Sequence, residues 1–65
     1  MSYICLIETE SSSVPHMEPL MADDLPEARN HAVRLLRQHG KPVAAHIFLG
    51  DKRLETVTVD TLGAR

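Results

Sequence analysis

The chain has 65 residues, a net charge of −2, four histidines, one cysteine and only two aromatic side chains, Tyr3 and Phe48. That length allows one domain, 1–65, with a core too small to be secure unaided, and it favours a partner chain. A single cysteine excludes an intramolecular disulfide, and no apolar run approaches the ~18 residues of a membrane span.

No basic segment followed by an apolar one opens the chain, and Cys5 lies in an apolar run. Both features lead to the expectation of a cytoplasmic protein with a buried, reduced thiol. Charge is unevenly spread. Residues 1–28 hold Glu8, Glu10, Glu18, Asp23, Asp24 and Glu27 with no Lys or Arg. Residues 29–65 hold seven bases against Asp51, Glu55 and Asp60. Acids before a helix and bases after its start suit the helix dipole, and the same bases can form a face for an acidic partner or nucleic acid.

Ser2 to Thr9 reads as a strand, apolar on both sides through most of its length. Glu10 to Asp23 has no period and contains Ser11-Ser12-Ser13, Pro15 and Pro19, so the expectation is a loop over 10–23. Long loops often carry function, and this one brings His16, Met17 and Met21.

Asp24 to Gly40 gives the clearest pattern, a helix. Asp24 can cap it, Glu27 completes a capping box and Pro26 stands where a missing N–H costs nothing. Gly40 can take the left-handed conformation at the end, and Pro42 forbids continuation. Leu25, Ala28, Ala32, Leu35, Leu36 and His39 share one arc, while Arg34, Arg37 and Lys41 lie opposite. Arg29 intrudes into the apolar arc, so it either reaches out to water or pairs across a subunit interface.

Val43 to Leu49 and Leu54 to Val59 read as a hairpin. A two-residue loop at Asp51-Lys52 pairs Leu49 with Leu54 and puts His46, Phe48, Val57 and Val59 on one face. A bulged turn would slip that register and exchange the faces of the last strand. Residues 61–65 read as a tail beyond an ordered core of 3–60. The expected fold is α+β, a single helix on a three-stranded sheet in the order β-α-β-β, with the helix returning the chain parallel to the first strand.

Motifs for chemistry are sparse. There is no C-x-x-C, H-x-x-x-H, H-E-x-x-H, nucleophile elbow or glycine-rich phosphate loop. No cofactor, metal site or catalytic residue is expected, and the chain is not expected to be an enzyme. One helix leaves the second sheet face open, and a small monomer should not leave an apolar patch in water. The expectation is therefore a homodimeric structural or protein-interaction module, with Phe48, His46, Val57, Val59 and Arg29 as interface candidates. The alternative is a nucleic-acid-associated regulator using Arg34, Arg37, Lys41, Lys52 and Arg53.

At the helix start, Asp24-Leu25-Pro26-Glu27-Ala28-Arg29 followed by Ala32 resembles the D-L-x-x-A-R-x-x-A signature of a family of small uncharacterised bacterial proteins of unknown function. Arg53-Leu54 with Val57 and Val59 is similar to that family's closing strand. The resemblance implies the order β-α-β-β and assigns no catalytic residue.

Overall fold

The computed structural model describes residues 2–59, so Asp60 and the expected tail at 61–65 lie outside the described residues. The elements are β1 (Tyr3–Thr9), β2 (Ser12–Leu20), α1 (Leu25–Gln38), β3 (Pro42–Leu49) and β4 (Lys52–Thr58). They form a four-stranded antiparallel sheet, ordered β2-β1-β3-β4, with one helix on it.

The fold is α+β, but the expected three strands become four. The stretch expected as a loop, 10–23, contains the nine-residue β2, and the order is β-β-α-β-β. Its prolines concealed it. Proline cannot donate to a ladder, yet an edge strand tolerates it, and β2 is an edge. The strand is also exposed over most of its length, so no buried alternation marks it.

The expected parallel return is also corrected. β1 pairs antiparallel with both β2 and β3. β2 and β3 are therefore parallel to each other with β1 between them, and α1 spans from β2 to β3. The crossover leaves from β2, a strand hidden in the sequence.

Asp24 caps α1 as expected. Its Oδ1 accepts from the Glu27 N–H at 2.9 Å, while Glu27 Oε1 accepts from the Asp23 N–H at 2.7 Å. The helix ends differently from expectation. His39 is extended at φ −89°, and the left-handed residue is Lys41 at φ 53°, not Gly40. The Lys41 carbonyl accepts from the Glu10 N–H at 2.9 Å, tying the β1–β2 turn to the start of β3.

The hairpin loop is Gly50-Asp51, one residue earlier than expected, because Gly50 supplies a positive φ of 67° at the first loop position. Phe48 pairs with Arg53, Ile47 with Glu55 and Ala45 with Val57, with a bulge between. The faces of the last strand are exchanged, as a bulged turn would have done, but the bulge lies within the strand at Leu54 and the turn itself is a plain two-residue one.

Residues opposite one another on a ladder share a face. Cys5, Ile7, Leu20, Ala45, Ile47 and Val57 face α1 and pack against Ala28, Ala32 and Leu36. The helical stripe is small at two of its three buried positions, which lets the helix lie close to the sheet.

Candidate interaction face

The other sheet face has no element over it among the described residues. The ladders set its layout. Ile4 stands between Pro19 and Phe48, Leu6 between Met17 and His46, and Glu8 beside Ala44. On the β4 side, Phe48 neighbours Arg53 and His46 neighbours Thr56. Ile4, Leu6, Met17, Phe48 and Gly50 line a shallow depression of about 160 Å³. Met17 is 63% exposed on it.

The polar half of this face is internally paired. His46 Nε2 lies 2.7 Å from Glu8 Oε1, and Nδ1 lies 3.0 Å from Thr56 Oγ1. In the neutral tautomer that donates from Nε2 to the carboxylate, Nδ1 accepts from the threonine hydroxyl. Both ring nitrogens are then satisfied by β1 and β4. A partner can cover this imidazole without orphaning it.

Phe48 and His46 stand on the open face, as the hairpin pattern suggested. Val57 does not. It is fully buried beneath α1 because the bulge turns it inward, and so it is removed from the interface candidates. Val59 follows the end of β4, 37% exposed, with its N–H donated to the Val43 carbonyl. Arg29 is also reassigned. Its Nε meets Glu55 Oε2 of the same chain at 2.5 Å, an ion pair that joins α1 to β4 on the helix side of the sheet. Met17, Pro19, Glu8 and Thr56 are not among the interface candidates read from the sequence, where Met17 and Pro19 fall in an expected loop. Once β2 is read as a strand, Met17 is legible as a cross-strand partner of Leu6.

The basic residues fall into separate groups. Arg34 and Arg37 are exposed on α1 and Lys41 follows its end, whereas Lys52 and Arg53 lie beyond the far end of β3. Eight strand residues separate the ends by roughly 26 Å, most of the molecule's 30 Å length. A continuous basic stripe is not formed.

A wider hollow of about 410 Å³ opens beside the helix start, lined by Ser2, Leu20, Met21, Ala22, Asp23 and Glu27. Glu27 is already engaged there by the Asp23 N–H. Among the described residues, no helix is long and apolar enough to cross a membrane. No known protein family, curated protein or solved structure matches the chain.

Proposed function

We propose that the protein is a non-enzymatic homodimeric interaction module whose two copies meet through the open sheet face. The carrying observation is the contiguous run of Pro19, Ile4, Phe48, Leu6 and Met17 on a face with no covering element among the described residues. A second copy supplies the same apolar surface and hides both at once, the symmetric solution.

The dimensions suit that occupant. Four strands at ~4.8 Å and seven residues at ~3.3 Å give a face of roughly 19 × 23 Å. Two such faces enclose about 900 Å² in projection, below the ~1,200 Å² where standard specific interfaces begin and in the range of weak, transient ones. Association should therefore be reversible and dependent on concentration. Glu8 and His46 are hydrogen-bonded within each chain, and Arg53 lies at the β4 edge of the face, so the apolar centre meets little opposition.

Sedimentation velocity over micromolar to millimolar protein tests the reading. Wild type is expected to move from one-chain to two-chain mass. Phe48→Asp and Met17→Asp should weaken association at least ten-fold while keeping the wild-type circular dichroism, and Arg34→Glu on the helix should not. One-chain mass at 1 mM wild type, or unchanged association in both face variants, overturns it.

A further inference from the structure

On the opposite side of the sheet, the fold gathers a cluster that sequence spacing does not show. His16 lies on β2 and His39 caps α1, 23 positions apart, yet their ring centroids are 5.3 Å apart and tilted by 52°. His16 Nε2 also lies 2.5 Å from Glu18 Oε2, two residues along the same strand face. Of the four histidines, His46 is held between Glu8 and Thr56, and His31 Nδ1 accepts from the Met21 N–H at 3.3 Å.

We propose that His16 and His39 form a two-histidine site for a borderline divalent cation of the zinc class, with Glu18 orienting His16. Three points of chemistry carry this. With Zn–N near 2.0–2.1 Å and a tetrahedral angle, two imidazoles on one ion have centroids roughly 5 Å apart, the spacing seen here. The tautomer of His16 that donates from Nε2 to Glu18 keeps a free electron pair on Nδ1 for the metal. A carboxylate on the second nitrogen of a ligating histidine is the usual outer-shell support.

Among the described residues no group of three or more His, Cys, Asp or Glu could hold a metal ion, so the protein supplies two ligands here and no more. Water completes the shell, and the site is an open surface one. Its structural effect follows from where the ligands stand. β2 is the exposed edge strand, and the ion would clip it to the end of α1. An ion that binds only the folded chain raises its stability with concentration.

The test uses the full chain and zinc chloride alone, by isothermal titration at a protein concentration where only one-chain mass is present. One ion per chain is expected. His16→Gln and His39→Gln should each lose at least ten-fold in affinity, and Glu18→Gln about ten-fold. His46→Gln and His31→Gln should match wild type. Thermal scans should show a zinc-dependent rise in Tm in wild type that is missing in His16→Gln and His39→Gln. No binding up to 1 mM zinc, or equal binding in wild type and both of those variants, overturns the proposal. Because the site lies on the helix side and is read at one-chain mass, its outcome is independent of the dimer experiment.

Discussion

Lys41 is the only non-glycine residue with a positive φ among those described. A side chain in the left-handed region carries about 1–2 kcal/mol of strain. Glycine removes that strain but adds ~0.5–1 kcal/mol of unfolded-chain entropy. Lys41→Gly should therefore be mildly stabilising, raising Tm by a few degrees in a thermal scan, and Lys41→Val should lower it. The sequence pointed to Gly40 here because glycine is the usual occupant of that conformation, and the extended His39 moves the reversal one position on. Cys5 offers a second measurement. Burial first, and the nearby Glu18 second, push its thiol up to about 11. The folded chain holds this proton after the unfolded chain has lost it. The contribution is complete below the ordinary thiol range and falls as pH rises from about 9 toward 11. Urea denaturation of wild type and Cys5→Ala at pH 7, 9 and 10.5 should show wild type losing more stability with pH than the variant.

At the scale of elements, the helix was legible because its signals agree: cap, proline, period and stop all fall within Asp24–Pro42. Its packing is equally specific. Leu36 is fully buried, so Leu36→Ala should cost about 2–5 kcal/mol. Ala32 is fully buried as well, and Ala32→Leu should cost about 1–3 kcal/mol by forcing the helix off the sheet. Urea midpoints with unchanged slope would check both. β2 was not legible for the converse reason. Serines and prolines mark breaks, and only the unpaired outer edge of a sheet accepts them. The register of β4 depended on a single bulge near Leu54, a feature that alternation alone does not encode. The Arg29–Glu55 pair depends on that bulge too, since the other register would turn Glu55 away from the helix. Both partners are partly exposed, so its contribution is small and screened by salt.

At the scale of the whole molecule, the open face was half legible. Phe48 and His46 follow from alternation in β3, whereas Met17 and Pro19 needed β2, and the Glu8–His46–Thr56 chain needed three strands brought side by side. Association through this face should persist from low salt to about 0.5 M, because its centre is apolar and Glu8 is hydrogen-bonded within each chain. Sedimentation at the two salt levels separates it from a contact built on Arg34, Arg37 or Lys52, which would weaken steeply. The strand order also bears on how the chain is made. β1 is synthesised before both of its sheet neighbours, β2 and β3, and sits between them. While the chain emerges, the β1–β2 hairpin can close early, but the second edge of β1 stays bare until Pro42–Leu49 follows. For that interval Tyr3–Thr9 presents unpaired peptide groups along an apolar strand. Of the two hairpins, the first is therefore the one exposed to mispairing during synthesis, and the arrival of β3 ends that exposure.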